Sequence, residues 1–292
     1  MPIGERTLIM GILNVTPDSF SDAGQFLTTD KALAHAEQMI ADGADIIDVG
    51  GESTRPGGEP VSAEEEIGRV VPVIETLARR VETPISVDTT KSEVARVALD
   101  AGAAIVNDIS ALRFDFYIAD AVARAGAGLV LMHSRGTPAR MHRLPPVADI
   151  MHEVTSSLRA SVHMAERRGV KRESIVIDPG IGFGKSQDQN LELIAKLDQL
   201  IAAFPDYPVL IGTSRKSFIG RILADESGAL APAEERLHGT MATITAAVLN
   251  GAHIIRVHDV KAAAETIRVA ESVRGSSHAK AQRSKERPQR GS

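Results

Sequence analysis

The chain has no cysteine and no tryptophan, and only 2 tyrosines and 7 phenylalanines in 292 residues. Without cysteine, disulfides, thiolate metal centres and cysteine nucleophiles are excluded. With so few rings, a planar aromatic ligand finds little to stack on, so each loop Phe gains weight. Long apolar runs are missing too. No stretch approaches the roughly 20 apolar residues of a membrane span. The apolar run inside Met1–Gly11 is too short for the hydrophobic region of a signal peptide. Nor is there an excess of positive charge: 33 Lys and Arg stand against 38 Asp and Glu, a net charge of −5. That balance suggests neither nucleic acid nor a membrane surface as partner, and the expected location is cytoplasmic.

What is present is a repeating unit. Short apolar runs occur at Leu8–Leu13, Asp45–Val49, Ile85–Val87, Ala104–Val106, Gly128–Met132, Ser174–Ile177, Pro208–Ile211 and His253–Val257. Most are continuous rather than alternating, which suits parallel strands buried on both faces. Helical periodicity falls between them, at Ala32–Ala41, Glu64–Arg80, Lys91–Ala101, Asp115–Arg124, Asp149–Arg168, Gln189–Phe204 and Glu235–Asn250. A capping box, Thr90-x-x-Glu93, marks one start, and Gly43, Gly102 and Gly251 stand where helices end.

Eight strand–helix units predict an α/β fold, a single-domain (β/α)8 TIM barrel spanning residues 1–274. An open doubly wound sheet would want a glycine-rich turn after its first strand, whereas this turn reads Asn14-Val-Thr-Pro-Asp-Ser-Phe-Ser-Asp22. Residues 275–292 are basic and almost free of apolar side chains, and are expected to be a disordered tail.

A barrel gathers its strand C-termini on one rim, where active sites are built. Here those ends carry Asn14, Asp48, Asp88, Asn107-Asp108, His133, Asp178, Ser214-Arg215-Lys216 and Arg256-Val-His258. Any one of them could be a cap or a turn. Together they are richer in functional groups than structure alone requires. Asp88, Asn107 and Asp178 suit the hydrogen-bonding edge of a heterocycle. Arg55, Lys216, Arg256 and His258 converge as cationic groups and imply an anion such as a diphosphate. Asn14 offers an oxygen to an accompanying hard cation. Two other motifs lead elsewhere. Pro179–Ser186 nearly spells a phosphate-binding loop but begins with Pro where Gly is required. Lys216 could form a Schiff base; a fixed charge is the simpler role, though neighbouring Arg215 would lower its pKa.

Seven segments in order resemble the dihydropteroate synthase family of pterin-binding enzymes over roughly residues 8–270. They are Gly11–Asp22, Asp48–Gly57, Ser86–Thr89, Asn107–Ile109, Asp178–Gly184, Ser214–Ser217 and Arg256–Val260. Departures are small: Ala23 replaces a usual Gly, and Ser134 stands where Met is common. The resemblance implies a transferase of folate biosynthesis, the sulfonamide target. It joins 7,8-dihydropterin-6-ylmethyl diphosphate to p-aminobenzoate with Mg2+, and works as a homodimer. It also implies that Asp88, Asn107, Asp178 and Lys216 hold the pterin edge, with Phe183 and Arg256 at its faces. Asn14, Arg55, Arg256 and His258 then take the diphosphate, Asn14 through the metal. Phe20, Thr54, Arg55, Pro56 and Ser214 shape the p-aminobenzoate pocket. The catalytic set implied is Asp88, Lys216, Arg256 and His258. A homodimer is compatible with the apolar positions Ile244, Val248 and Leu249 on an outer helix.

Overall fold

A computed structural model describes residues 3–16, 25–53, 61–137, 140–226 and 228–285, with the backbone alone at 25–28, 142 and 276–285. Its strands are β1 (Leu8–Asn14), β2 (Ile46–Gly50), β3 (Ile85–Asp88), β4 (Ile105–Asp108), β5 (Gly128–Met132), β6 (Ile175–Asp178), β7 (Leu210–Ile211) and β8 (Ile254–Val257). They form one parallel eight-stranded sheet in the order β6-β5-β4-β3-β2-β1-β8-β7. A parallel bridge between Ile177 and Val209 brings β6 back to the start of β7, so the sheet closes into a barrel. An open doubly wound sheet is thereby excluded.

The helices between strands are α1 (Gln25–Ala41), α2 (Ala63–Arg80), α3 (Ser92–Asp100), α4 (Tyr117–Ala125), α5 (Ile150–Arg167), α6 (Gln187–Ala195), α7 (Leu197–Ala203), α8 (Ser217–Ile222) and α9 (Leu237–Leu249). A last helix, α10 (Val260–Lys285), follows β8. Four sequence expectations are corrected. The helix expected over Gln189–Phe204 is two, broken at Lys196, whose ψ of 24° leaves the helical range. The capping box at Thr90 is not formed: α3 is capped at Lys91, without a side-chain cap bond. Thr89 Oγ1 instead accepts from the Lys91 N–H. The last helix continues past residue 274 to Lys285, so the first part of the segment expected to lack structure is helical. Its Ala, Lys, Gln and Arg are strong helix formers continuing a helix already docked through its first turns. Finally, Ile244 and Val248 point inward and are buried; of the three positions offered for a dimer contact, Leu249 alone is exposed.

Two apolar layers result from the alternation of strand side chains. Ile9, Leu13, Ile47, Val49, Ile85, Val87, Val106, Leu129, Leu131, Ile175, Ile177, Ile211, Ile255 and Val257 face outward and join the helices in the large core. Leu8, Met10, Ile46, Val130, Leu210 and Ile254 fill the barrel interior, with Ile105 and Val176 against them. At roughly 25 cal/mol per Å2 of apolar surface, these layers are the main source of stability.

Candidate active site

The same period of two selects what stands above the inner apolar layer. Two residues on from Ile46 comes Asp48; from Ile105, Asn107; from Val176, Asp178; from Ile254, Arg256. On β3, the outward pair Ile85 and Val87 leaves Ser86 and Asp88 facing inward. On β7, Leu210 is followed two residues later by Gly212, whose missing side chain leaves room beside Arg256 Cβ. The barrel is therefore apolar at its waist and polar toward the strand C-termini.

Arg256 is the hub of that polar layer. Its Nε donates to Asp48 Oδ2 at 2.6 Å and its Nη2 to Asp88 Oδ2 at 2.7 Å. Asn107 Nδ2 donates to the same Asp48 oxygen at 3.0 Å. Burial raises the Asp88 pKa to about 7, opposed by Arg256 and reinforced by Asp48. Burial works against the Arg256 charge, yet Asp48 and Asp88 outweigh it and hold its pKa above the ordinary value. Asn14 lies across Gly50 from Asp88: the position of a Cβ added at Gly50 is 3.8 Å from both Asn14 Oδ1 and Asp88 Oδ2.

The second half of the layer comes from the loops after β6 and β7. Asp178 Oδ1 accepts from the Gly180 N–H at 2.6 Å, and burial raises the Asp178 pKa against the pull of nearby Lys216. Lys216 donates to the Ile181 carbonyl, with Nζ 4.3 Å from the Phe183 ring centroid. It reaches there over Gly182, where a Cβ would come 2.8 Å from Lys216 Cδ. Burial lowers the Lys216 pKa to about 7; Asp178 opposes this and Arg256 adds to it. Arg215, expected to do this, points elsewhere, to Asp259, with bonds of 2.9 and 2.5 Å. Ser214 Oγ accepts from the His258 N–H at 3.2 Å and lies 2.9 Å from His258 Nδ1. The hydroxyl thus meets both the backbone and the ring of His258 and fixes the ring's orientation.

Asp88, Asn107, Asp178, Phe183, Lys216 and Arg256 are thus brought to one end of one barrel, with Asn14 beside them and Ser214 and His258 forming a pair. Phe20, Thr54, Arg55 and Pro56 lie outside the described residues. Asp108 serves structure: its carboxylate accepts from Ser110 N and Oγ and from Leu112 N, at 2.6–2.8 Å. Two contributors were given no role in the sequence. Asp48 was placed on the rim, and its parity with Ile46 could have set it facing inward beside Asn107 and Arg256. Lys185, the lysine of the false phosphate loop, has its ammonium on the carbonyls of Gly180 (2.8 Å), His133 (3.2 Å) and Phe183 (3.2 Å). It ties the loops after β5 and β6 together, and nothing in the one-dimensional pattern announced those acceptors.

A closed barrel with polar groups converging in its mouth has the architecture in which enzymes of this fold place their active sites. The profile of the pterin binding enzyme family matches residues 10–258, and the chain belongs to that family. Within it the relatives are dihydropteroate synthases, which are transferases, and the chain is one of that group. It is 46% identical over 270 residues to the dihydropteroate synthase of Synechocystis, covering 92% of this chain and 91% of that one. With the Bacillus subtilis dihydropteroate synthase the identity is 49% over 257 residues, covering 88% and 85%. Among solved structures, the Clostridium difficile dihydropteroate synthase, determined in the presence of pteroic acid, superposes with a TM-score of 0.86. Its sequence is 43% identical, with 94% of this chain and 98% of that chain covered. The Xanthomonas albilineans enzyme with 4-aminobenzoic acid gives a TM-score of 0.84 at 43% identity, covering 92% and 93%. Among the described residues no helix is long and apolar enough to cross a membrane.

Proposed function

We propose that the barrel mouth condenses 7,8-dihydropterin-6-ylmethyl diphosphate with p-aminobenzoate, giving 7,8-dihydropteroate and diphosphate. The observation that carries the assignment of roles is the Asp48 bond to Asn107 Nδ2. It turns the Asn107 oxygen the other way, so Asn107, Asp88 and Asp178 all offer acceptors. A pterin edge presents N–H and NH2 donors, and aligned acceptors recognise it in the plane. Arg256 and Phe183 supply the faces. Lys216 adds a cation held close to neutrality, suited to a ring acceptor. Ser214 serves the p-aminobenzoate pocket together with Phe20, Thr54, Arg55 and Pro56.

In the reaction the arylamine nitrogen bonds to the pterin methylene carbon. The carbon–oxygen bond to the diphosphate breaks, the leaving oxygen keeps the electron pair, and the new ammonium loses its proton to solvent. The arylamine is neutral near pH 7 and needs no strong base. The barrier lies in charge growing on the leaving oxygen, where Arg256, Arg55 and His258 act most strongly in the transition state. Asp88, buried beside Arg256, can stabilise positive charge developing at the methylene.

Mg2+ fits this site in one way. Among the described residues no cluster of three His, Cys, Asp or Glu could hold a metal. Mg2+ commonly takes one or two protein oxygens and completes its shell with phosphate and water. Asn14 Oδ1, with no hydrogen-bond donor on it among the described residues and close to the Asp88 carboxylate, is the oxygen for that role. Bound there, the ion would neutralise diphosphate charge. A homodimer in the cytoplasm completes the proposal. The test is diphosphate release by purified protein with each substrate and Mg2+ omitted in turn. Release that requires all three is expected; release from the pterin diphosphate alone would reject the condensation.

A further inference from the structure

We infer that Asp48 is a positioning residue that orients the Asn107 amide and the Arg256 guanidinium for the pterin, an inference that rests on the pterin reading above. A primary amide can present its oxygen or its NH2 to a pocket after a half-turn, and packing scarcely distinguishes the two. Asp48 distinguishes them, because a carboxylate oxygen only accepts. With Nδ2 3.0 Å from Asp48 Oδ2 the amide is bonded; flipped, it would set two oxygens at that distance. The same Oδ2 takes Arg256 Nε at 2.6 Å, and this leaves Nη2 directed at Asp88. One oxygen atom on β2 therefore sets the geometry of groups on β4 and β8, and through Arg256 reaches β3.

The position argues for a role beyond packing. Asp48 is completely buried, and its other oxygen, Oδ1, has no hydrogen-bond partner among the described residues. A half-satisfied buried carboxylate is costly. One layer below, Ile46 and Ile254 fill equivalent inward positions with apolar side chains at no such cost. The cost is explained if two ligand-binding groups must be held.

The experiment titrates 6-hydroxymethylpterin, which lacks the diphosphate, into wild type, D48L, D48N, N107A and the D48L/N107A double variant. Leucine keeps nearly the shape of aspartate and removes the acceptor; asparagine keeps one acceptor oxygen where both donors converge. D48L and N107A should each weaken pterin binding about tenfold or more, and the double variant should fall well short of the product of the two losses. D48N should recover most of the affinity, within about threefold of wild type. Wild-type binding by D48L, fully multiplicative losses, or D48N as weak as D48L would each overturn the positioning role. Should D48L not fold, D48N decides alone, a tenfold loss in it counting against the inference. Wild-type affinity in N107A would instead reject the pterin reading of the site, which keeps the two failures apart.

Discussion

Asp88 sits between two opposing forces, burial that favours its neutral form and Arg256 that favours its carboxylate, and burial prevails enough to raise its pKa to about 7. That has a consequence for stability. An aspartate free in the unfolded chain titrates near 3.8. Between those two values the folded state holds the proton more tightly than the unfolded state. The stabilisation is complete below about 4 and is lost as pH rises through about 7. Asp88→Asn removes the titration while Arg256 keeps Asp48 as partner. Urea unfolding from pH 4 to 8 should therefore show wild type losing stability relative to D88N up to about pH 7, by at most about 1.4 kcal/mol per pH unit. A constant difference across that range would refute the shift. At the pterin edge, Asp178→Asn keeps the size but turns an acceptor into a donor. The expected loss is about 2–4 kcal/mol, roughly 30- to 1,000-fold in pterin affinity, and unchanged calorimetric affinity would remove Asp178 from the edge. Residues of this kind were legible in the sequence because polar groups ending apolar strands stand out singly. Asp48 was less so: its part depends on Asn107 and Arg256, which lie far away in the chain and meet it only once the barrel closes.

At the scale of elements, the loop after β6 is held by contacts that no periodicity reveals. Gly180 has a φ of +66°, and a Cβ there would come 1.9 Å from the His133 carbonyl oxygen. Lys185 then closes the loop through three carbonyls, with burial driving its pKa well below the lysine range. Lys185→Met should leave those carbonyls short of a donor and cost about 2–4 kcal/mol in urea unfolding. It should also weaken pterin binding, because Phe183 and the Ile181 carbonyl ride on this loop. Full stability in K185M would mean the lysine is dispensable to the loop. The strands were readable because apolar runs of four or five residues bounded by glycine and polar groups have few other interpretations. Helix boundaries were not. The break at Lys196 and the short α8 have no mark in the one-dimensional pattern, and Thr89, not Thr90, supplies the side-chain oxygen that accepts from the Lys91 N–H.

For the whole molecule, the proposed roles couple the two substrates. Arg55 is assigned to the diphosphate, while its chain neighbours Thr54 and Pro56, with Phe20 from the preceding βα loop, are assigned to p-aminobenzoate. Whatever draws Arg55 to an anion must therefore constrain the residues that meet the arylamine. Binding free energies linked in this way are reciprocal, so each ligand raises the affinity of the other by the same factor. The described part of the site agrees in its charges: Lys216 is held near neutrality and Arg256 is shared by Asp48 and Asp88, so an incoming diphosphate calls for positive charge beyond Arg256, the part assigned to Arg55 and His258. Binding should then be ordered, with pterin diphosphate first and diphosphate last to leave. A sulfonamide that imitates p-aminobenzoate should bind the empty protein weakly and the diphosphate-loaded protein appreciably. Replacing Phe20 by Leu or Pro56 by Ser should weaken a bulky sulfonamide more than the substrate, on the expectation that only the drug presses on those loops. The deciding measurement titrates p-aminobenzoate with and without diphosphate and Mg2+. A typical coupling of about 1–3 kcal/mol corresponds to a gain of roughly 5- to 150-fold. Arg55→Ala should abolish most of that gain while leaving 6-hydroxymethylpterin affinity near wild type, because the pterin edge is held by Asp88, Asn107 and Asp178. Equal p-aminobenzoate affinity in the two titrations would mean that the arylamine pocket exists without the diphosphate, and the ordered mechanism would fall with it.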